Sequence, residues 1–576
     1  MRVLFQHLSR PPDAITRERS ATLTNWANRA KALNNLENQL KADMEPDIAR
    51  IMAPKRMLLM RSIATDMNWP DIGIFDEMTE GFKIVGPVTE SGIFKQGITL
   101  AEMSPEQLRE KTKFLKPMII GRAKLCDGNE LQQQLYDSTL EEAKEKNWLE
   151  GPFSPEQIES RMGSDWLPVR RFAVLQRDKL RPIDDFKENQ VNKTFASSEK
   201  LELRTMDHTL WSLFTVLKFL LFDGRLDFIL NSGEHLQAEV HQTWKSVEPS
   251  FKASCIDLKA AYKQLPLHED NQKDSVVTLW NPTEKNVECF VMKVLPFGAA
   301  ASVHHFLRVS NFLQAVGRYM GLIWSAFFDD FVVLSHVMHE SSTMATALSL
   351  FDLLGFQYSK DKLQPFSDKT EMLGVELDLT DVKNGNIRIR VRNKASRSIE
   401  LCEVLHRILE TKKVIVKELP STIGKLQFAE GQLWGRAGRL ALPELRRHEK
   451  SGDKEAALDD RSVDASRLLF EKLKDGKPRT IQISPKAKPF LLFTDGALEY
   501  DANGKPIAGI GAVLMCPDGS NLVFGTKVPD RILQAWQTDG KTHVVGFVEL
   551  YAAVSRPGQA LSKTNVSFAS LTVGLF

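Results

Sequence analysis

The sequence predicts an α+β fold that is divided among three or four domains. The chain has 576 residues, 42% of them hydrophobic and 26% charged, which is typical of globular proteins with several cores. Apolar runs of strand length occur in adjacent pairs between residues 251 and 335. Stretches at helical spacing separate and follow these pairs. We therefore expect sheets built from neighbouring hairpins, with helices packed against them.

Residues 1–139 form the first predicted domain and carry no motif that indicates a role. They are polar and Met-rich, with a helical pattern from Asn25 to Ala42. A second helical pattern, Leu140–Trp148, leads into Gly151-Pro152, which is a stop signal. We therefore place the border of the main unit near residue 140.

The main unit begins with a predicted basic hairpin and, further on, a predicted strand that ends in an acid. Residues 169–176 predict a strand, residues 177–179 a tight turn, and Leu180 onward a return strand, which together form a basic hairpin. Further on, Phe251–Asp257 predicts a strand whose last residue is an acid. Ligand sites in open sheets collect at the carboxyl ends of strands. Asp257 is therefore a candidate site residue.

A hairpin and a helix follow. Val276–Trp280 and Cys289–Val294 predict paired strands, and Leu295-Pro296-Phe297-Gly298 leads from them into a helix over residues 299–312. Leu322–Phe328 and Phe331–Ser335 are two further apolar runs with only Asp329 and Asp330 between them. The pattern predicts a hairpin whose turn consists of these two acids.

The two acids predict a metal site. Neighbouring carboxylates between apolar runs repel each other and are poorly hydrated, so one becomes neutral unless a cation offsets the charge. Mg²⁺ prefers oxygen ligands and retains waters that a phosphate can replace. With Asp257, the pair predicts a carboxylate cage for two divalent cations, an arrangement suited to nucleotidyl transfer. The alternative for Asp329-Asp330 alone is an ordinary solvent-exposed turn; its occurrence together with Asp257 and Gly298 favours the cage.

Composition excludes several classes. The five cysteines lie far apart without a CxxC pair, which predicts neither a disulfide framework nor a zinc knuckle. No apolar stretch reaches the roughly 20 residues needed to span a bilayer, and no secretion signal is visible at the N-terminus. We expect no membrane association and an intracellular location, cytoplasmic or nuclear, and not secretion.

The net charge of +2 is small, but basic residues concentrate late in the chain. Residues 388–447 contain fourteen Lys or Arg and six Asp or Glu, a local excess of eight positive charges. Such a segment can follow a phosphate backbone, or it can be a solvated helical surface. Its place after the acidic motifs favours nucleic acid.

Taken in order, these motifs resemble the reverse transcriptase of retroelements over residues from about 140 to 380. The segments that carry the resemblance are Arg177 with Lys179–Asn192 (fingers), Asp257–Leu265 (first palm motif), Leu295–Phe306 (template side), Phe327–Asp330 (Tyr-x-Asp-Asp box), Leu354–Lys362 (next palm motif) and Glu371–Leu377 (primer grip). The resemblance is to a retrotransposon-type enzyme.

The resemblance implies a right-hand polymerase fold. Fingers and palm would occupy residues 140–380, and a basic thumb or connection region residues 381–485, where plain helix packing is the alternative for the Gly, Lys and Arg residues. The implied activity is that of an RNA-directed DNA polymerase. Its implied partners are an RNA template, a DNA primer, their hybrid and deoxynucleoside triphosphates, with two Mg²⁺ ions as cofactor and Mn²⁺ as the substitute. The oligomeric state stays open.

The resemblance also assigns catalytic roles. Asp257 and Asp329 would ligate the two ions, with Asp330 supporting them. Lys362 aligns with a lysine that protonates the pyrophosphate leaving group, and its alternative is an exposed lysine in a turn. Phe327 replaces the Tyr of the commonest box, which keeps the ring and removes the hydroxyl.

Further residues would bind substrate. Arg177 and Arg181 match basic fingers positions that hold the triphosphate, or are solvated surface arginines. Tyr262 matches the gate whose ring collides with a ribose 2′-hydroxyl, or it only packs in the palm. Phe297 occupies a position that is Phe in many retrotransposon enzymes. Gly298 would let the backbone approach a base pair or sugar closely.

Residues 486–576 resemble the beginning of a ribonuclease H domain. Leu492–Ala497, Gly509–Leu514 and Val548–Ala553 match its first strand, second strand and first helix, and Asp495 and Glu549 match two of its four acids. Residues 550–576 contain no Asp or Glu, so the cage lacks two ligands. We expect an incomplete, truncated domain without ribonuclease H activity.

Two other functions stay open. A degenerate or repurposed element product that binds nucleic acid without synthesis would retain the same motifs. An RNA-dependent RNA polymerase is a third alternative, which Tyr262 argues against.

Overall fold

The computed structural model describes residues 1–125, 131–176, 179–230, 232–383, 387–433, 437–483, 491–502, 504–516, 518–537 and 544–554. Contacts divide the chain into two compact units, Met1–Ile483 and Ser484–Phe576. Both units combine helices and strands, as the α+β prediction requires. The predicted domain boundaries at residues 140, 381 and 486 stay predictions.

The first 125 residues are mostly helical. Their elements are α1 (Arg2–Leu8), α2 (Pro12–Ala42), α3 (Pro46–Met52), α4 (Met57–Asp66), α5 (Ile74–Glu80), β1 (Lys95–Thr99) and α6 (Pro105–Lys124). The predicted helix over 25–42 is therefore confirmed as the C-terminal part of α2, which begins earlier because Pro12 occupies its first turn.

Helices and hairpins alternate over the next 120 residues. Their elements are α7 (Gln132–Lys144), β2 (Leu149–Phe153), α8 (Pro155–Met162), β3 (Pro168–Gln176), β4 (Lys179–Asp184), β5 (Ser197–Lys200), α9 (Met206–Lys218), β6 (Arg225–Ile229), β7 (His235–Glu239) and α10 (Gln242–Lys245). The predicted basic hairpin is confirmed: β3 and β4 pair antiparallel, with Gln176 opposite Lys179.

The segment with the acidic motifs follows. Its elements are β8 (Phe251–Asp257), β9 (Val276–Asn281), β10 (Asn286–Met292), α11 (Ala300–Tyr319), β11 (Ile323–Phe327), β12 (Asp330–His336), α12 (Glu340–Leu354), β13 (Lys369–Met372), β14 (Val375–Asp378) and α13 (Thr380–Lys383). The predicted hairpins β9–β10 and β11–β12 are confirmed as antiparallel pairs, and β13 and β14, within the segment that resembles the primer grip, form a third.

The remaining elements complete both units. They are β15 (Arg388–Asn393), α14 (Ala395–Thr411), β16 (Lys413–Ile415), α15 (Leu419–Glu430), α16 (Leu442–Arg446), β17 (Glu455–Ala457), α17 (Asp460–Asp475) and β18 (Arg479–Gln482) in the first unit, and β19 (Leu491–Tyr500), β20 (Pro506–Met515), β21 (Asn521–Lys527), α18 (Asp530–Gln537) and α19 (Val545–Val554) in the second.

Two sheets frame the acidic motifs. One has the strand order β2-β10-β9-β3-β4, in which β3 and β9 are parallel and the other pairs antiparallel. The other has the order β11-β12-β8 and is antiparallel throughout. Adjacent residues of its central strand β12 belong to two different cores: Phe331 and Val333 to one, Val332 and Leu334 to the other. Burial on both faces explains the unbroken apolar runs in the sequence.

The N-terminal helices pack into the same core as this sheet. Trp26 of α2 and Met60 of α4 are buried in one cluster with Phe331 and Phe351. The buried Arg19 guanidinium of α2 donates to the carbonyl oxygens of Met320 and Gly321 at 3.2 and 2.8 Å. Residues before 125 thus complete the hydrophobic core beneath β11 and β12.

The second unit consists of the sheet β19-β20-β21 and the helices α18 and α19. Its strands pair antiparallel, with Asp495 opposite Gly511. A Cβ on Gly496 would lie 2.6 Å from the backbone nitrogen of Glu549, so only glycine lets α19 pack this closely on β19. Asp495 and Glu549 are both exposed next to this crossing.

Within the ranges given above, no helix has the length and hydropathy needed to span a membrane.

Gly355 provides a test of how the N-terminal region packs. This residue follows α12 at φ +80°, and a Cβ there would lie 1.8 Å from the carbonyl oxygen of Pro54. We expect Gly355→Ala to lower the free energy of unfolding by about 2–4 kcal/mol, because both the backbone conformation and the clash oppose alanine. Urea unfolding followed by circular dichroism measures it.

Gly424 is the matched control. It lies inside α15 with no atom within 4 Å of its added Cβ, so Gly424→Ala should raise stability by about 0.5–1 kcal/mol. A Gly355→Ala protein as stable as the wild type would contradict the described packing of Pro54 on Gly355.

Candidate functional site

Asp257 and Asp330 are direct neighbours across two paired strands. β8 and β12 run antiparallel, and their register sets Asp330 opposite Asp257 at the end of the ladder. The backbone N–H of Leu258 donates to the carbonyl oxygen of Asp329 at 3.0 Å, which fixes the hairpin turn against the end of β8. Acids that are more than 70 positions apart in the sequence thus meet at one edge of the sheet.

The predicted turn is wrong by one residue. Asp330 begins β12 and pairs with Phe327, so the turn consists of Phe328 and Asp329 rather than of two acids. Phe328 adopts φ +54°, a left-handed conformation that is uncommon for a bulky residue. Its carbonyl oxygen accepts a 2.6 Å hydrogen bond from the hydroxyl of Ser310 on α11. That tertiary contact, together with the ladder pairing of Asp330, sets the turn.

Burial and neighbouring carboxylates destabilise the ionised forms of Asp329 and Asp330. Burial, with added repulsion from Asp329 and Asp257, raises the pKa of Asp330 to about 6. Burial and the charge of Asp257 also raise the pKa of Asp329. Burial and the nearby carboxylates, Asp330 first among them, raise the pKa of the Cys255 thiol, whose sulfur lies 3.9 Å from Asp330 Oδ1. The site therefore carries excess negative charge in a poorly hydrated place.

Two side chains from one later segment hold Asp257. The Ser359 hydroxyl donates to Asp257 Oδ2 at 2.6 Å, and Lys362 Nζ donates to the same oxygen at 2.7 Å. The hydrogen bond to Asp257 raises the pKa of Lys362. Lys362, a predicted site residue, thus contacts the predicted acidic centre directly and forms part of its charge balance.

The donor set fits a divalent cation. All three acids offer hard oxygen ligands, and the raised pKa values of Asp329 and Asp330 mean that a cation would stabilise their ionised forms. Within the described residues, no three His, Cys, Asp or Glu side chains already converge on one point. Asp257 Oδ2 accepts from both Ser359 and Lys362, which leaves Oδ1 as the oxygen that these two contacts do not engage.

Tyr262 lies beside this acidic centre. Its ring stacks on Phe306 at 4.6 Å between centroids and meets Phe297 edge-on at 5.4 Å. Tyr262 is 9% exposed, whereas Phe297 is 62% exposed. Burial and the negative charge of Asp329 raise the pKa of the Tyr262 hydroxyl. The structure thus brings together Tyr262, Phe297 and Asp329.

Gly298 allows one chain segment to approach another closely. At φ +110°, an added Cβ would lie 2.8 Å from the carbonyl oxygen of Asp184 at the end of β4. The Asn192 side chain bridges this loop: its amide donates to the Gly298 carbonyl oxygen at 3.0 Å and accepts from the backbone N–H of Ala300 at 2.7 Å. The close approach found here is therefore to β4, and it sets the start of α11.

Of the two arginines predicted to bind triphosphate, the structure describes only one. Arg177 lies outside the described residues. Arg181 is exposed on β4 opposite Val174, and no ion pair or hydrogen bond within the described part of the chain joins it to the three aspartates. Its role in binding triphosphate stays a prediction.

Four residues that complete the site were absent from the prediction: Ser359, Ser310, Asn192 and Cys255. Each acts through a contact between distant segments; Ser359 and Asp257, for example, are separated by 102 positions. Cys255 alone carried a local signal, because it lies two residues before Asp257 on the same strand and therefore points to the same face.

The raised pKa of Asp330 predicts a pH-dependent stability change. With a folded pKa of about 6 against the ordinary value of 3.8, the ionised acid destabilises the folded state; the penalty is full above pH 6 and disappears as the pH falls towards 4. We expect Asp330→Asn, in EDTA, to raise the free energy of unfolding by about 1–2 kcal/mol at pH 7.5.

Urea unfolding at several pH values measures this gain, which should shrink steadily between pH 6 and pH 4. The exposed Asp43, changed to Asn, is the control and should alter stability little at any pH. A gain from Asp330→Asn that is independent of pH would contradict the electrostatic explanation.

Comparison with known proteins identifies the family of this segment. Residues 201–377 match the family model for reverse transcriptase (RNA-dependent DNA polymerase). No curated protein matches the chain. Two solved structures are similar to it: foamy viral protease-reverse transcriptase dRH in complex with double-stranded DNA (14% identity, TM-score 0.39, 77% of this chain) and foamy viral protease-reverse transcriptase in complex with RNA/DNA hybrid (13% identity, TM-score 0.39, 78% of this chain).

The chain spans 66% and 55% of the lengths of those two proteins, less than two thirds of either. The matched segment contains β8, the hairpin β11–β12 and all three aspartates of the site. The match of residues 201–377 therefore identifies a reverse transcriptase domain that contains this site.

Proposed function

We propose that this chain is an active, retrotransposon-type RNA-directed DNA polymerase that extends a DNA primer on an RNA template by two-metal-ion catalysis. The observation that supports the proposal best is the register of β8 and β12, which pairs Asp257 with Asp330 and sets Asp329 in the adjoining turn. Three acids lie at one sheet edge, and two of them have raised pKa values, so bound cations would stabilise their ionised forms.

Asp257 and Asp329 would hold two Mg²⁺ ions, with Asp330 supporting them and Mn²⁺ as the substitute. Such ions, when bound, activate the primer 3′-hydroxyl and offset the charge that develops on the triphosphate. The chain itself contributes rigid positioning: Ser359 orients Asp257, and the Ser310 hydroxyl fixes the turn that carries Asp329. Both contacts restrict where the carboxylates can lie before substrate arrives.

Lys362 would act as the general acid. Its ammonium lies 2.7 Å from Asp257 Oδ2, and its pKa is raised, so it is protonated at neutral pH. A protonated amine beside the acids can donate a proton to the departing pyrophosphate. Arg181, and Arg177 with it, would bind the triphosphate from the fingers side, where paired guanidinium hydrogen bonds suit phosphate oxygens.

Tyr262 would select deoxynucleotides. Its ring is held between Phe306 and Phe297, which limits how far it can move away from a bound sugar. A fixed ring at this place would collide with a ribose 2′-hydroxyl. Phe297 is largely exposed and would lie against the template–primer duplex, near the backbone of Gly298.

The other regions would bind nucleic acid around this centre. Residues 140–380 would form fingers and palm, and the basic excess in residues 388–447 would follow the backbone of the RNA–DNA hybrid as a thumb or connection. In the C-terminal unit, Gly496 of β19 packs against the backbone of Glu549 in α19, so Asp495 lies beside this crossing, which supports a partial ribonuclease H-like arrangement for residues 486–576. The expectation that this chain lacks ribonuclease H activity stays a prediction.

Asp329→Asn tests the polymerase. The substitution keeps the shape of the side chain and removes one ion ligand, so primer extension on an RNA template with Mg²⁺ should fall by at least about a thousandfold. Gel-based extension assays measure it, and the exposed Asp43→Asn variant serves as the control. Wild-type protein that binds the template–primer duplex but adds no nucleotide would instead identify a nucleic-acid-binding product without synthesis.

Tyr262→Ala and Tyr262→Phe form a matched pair that tests the gate. Removing the ring should raise the efficiency of ribonucleotide incorporation relative to deoxynucleotide incorporation by about a hundredfold, because the steric penalty disappears. The Phe variant keeps the ring and should discriminate like the wild type. Single-nucleotide incorporation kinetics provide the ratio, and equal discrimination by the Ala variant would reject Tyr262 as the gate.

A further inference from the structure

A basic cavity lies next to the acidic centre. It has a volume of about 230 Å³, and its wall includes Lys259 and Ala260, which follow Asp257 by two and three residues. The charged side chains that line it are all cations: Arg50, Lys55, Lys146, Lys259 and Lys263. No Asp or Glu from the described ranges lines this cavity.

Lys55 is an unusual member of this wall. It is only 1% exposed, and Nζ donates to Gln264 Oε1 at 3.0 Å and to the Gly355 carbonyl oxygen at 2.8 Å. Nζ also lies 4.4 Å from the centroid of the Phe356 ring. Each of these partners is neutral, and an ammonium has three N–H donors. A buried cation without a carboxylate partner is unfavourable unless something else supplies the negative charge.

The pKa of Lys55 is lowered, as expected for a buried amine that has no carboxylate partner. Burial, with a smaller contribution from Lys41, lowers it to about 7. An anion in the cavity would stabilise the protonated amine.

The other cations differ in how far they are neutralised. Lys259 is exposed and has no carboxylate partner in the described part of the chain. Lys263 pairs with Glu142, but the other oxygen of that carboxylate lies 2.8 Å from the buried Arg171 guanidinium. Lys146 lies 2.6 Å from Glu141. Arg50 lies 2.9 Å from Asp47. Lys55 and Lys259 are therefore the lining cations that have no carboxylate partner among the described residues.

A short bridge joins the cavity to the acidic centre. The backbone N–H of Lys259 donates to the Gln357 carbonyl oxygen at 3.0 Å, and that of Ser359 donates to the Asp257 carbonyl oxygen at 2.8 Å. Gln264, the acceptor of Lys55, also donates to the carbonyl oxygens of Lys259 and Gln357, both at 2.8 Å. One end of the bridge thus carries Asp257 and the other end lines the cavity.

We propose that this basic cavity binds an oligophosphate anion, either free pyrophosphate or the phosphate chain of a nucleoside triphosphate. Several ammonium groups and one guanidinium converge on a space that accommodates a group of this size, and such donors form their strongest hydrogen bonds with phosphate oxygens. The N-terminal region contributes Arg50 and Lys55, which gives it a direct part in the site. Binding of the anion in this cavity does not depend on polymerase activity.

Isothermal titration calorimetry of the full chain in EDTA tests the proposal, with pyrophosphate and dTTP titrated separately. Without metal, the three aspartates repel both anions, and a loss of binding in cavity variants that keep both fingers arginines reports the basic cavity. Lys55→Met and Lys259→Gln should each weaken binding by about tenfold or more, because each removes one cation. Lys259 is exposed, so its variant keeps the test valid if Lys55→Met does not fold.

Two controls separate this site from the acidic centre. Lys31→Met removes an exposed lysine of α2 outside the cavity and should bind like the wild type. Asp329→Asn should retain binding even though primer extension is lost. Equal affinities for the two anions would assign the phosphate chain alone as the ligand, and tighter dTTP binding would assign a nucleotide. No binding to the wild type, or equal binding by both cavity variants, would overturn the proposal.

Discussion

The antiparallel pairing of β8 with β12 extends over seven residues and ends with Asp330 opposite Asp257. A shift of one residue would turn every side chain of β12 to the other face and separate the two acids. Burial of both faces of β12 prevents such a shift, because Phe331 and Val333 fill one core while Val332 and Leu334 fill another. The packing of these apolar side chains thereby fixes the register that sets Asp330 opposite Asp257.

The cost of this arrangement is electrostatic. Partial burial, with repulsion from neighbouring carboxylates, raises the pKa values of Asp329 and Asp330, and Lys362 pairs with Asp257. Lys259 follows Asp257 by two residues and lines a cavity whose charged side chains are all cations. Backbone hydrogen bonds between residues 257–259 and 357–359 connect the acidic centre, a candidate cation site, to the basic cavity, a candidate phosphate site. That pairing of opposite sites is the strongest structural argument for phosphate chemistry here.

The sequence predicted the strands and hairpins of this region well, because apolar runs of strand length and turn residues are local signals. It placed the turn at Asp329-Asp330, since acids favour turns and phenylalanine does not. The structure instead holds Phe328 at positive φ, where the ladder and the Ser310 hydroxyl outweigh local preference. Ser359, Asn192 and the Lys55 cavity were not predictable, because each depends on segments that meet only after folding. Lys55 and Gln264, for example, are 209 positions apart.

We expect Asp257 and Asp329 to bind divalent cations together. Crystals of the full chain soaked in MnCl₂ with a template–primer duplex, measured at the manganese absorption edge, test it directly because anomalous peaks locate the ions. We expect peaks within coordination distance of carboxylate oxygens of both Asp257 and Asp329, and we expect Asp329→Asn to lose them. Peaks elsewhere, or no peak beside these carboxylates at full occupancy of the duplex, would contradict it.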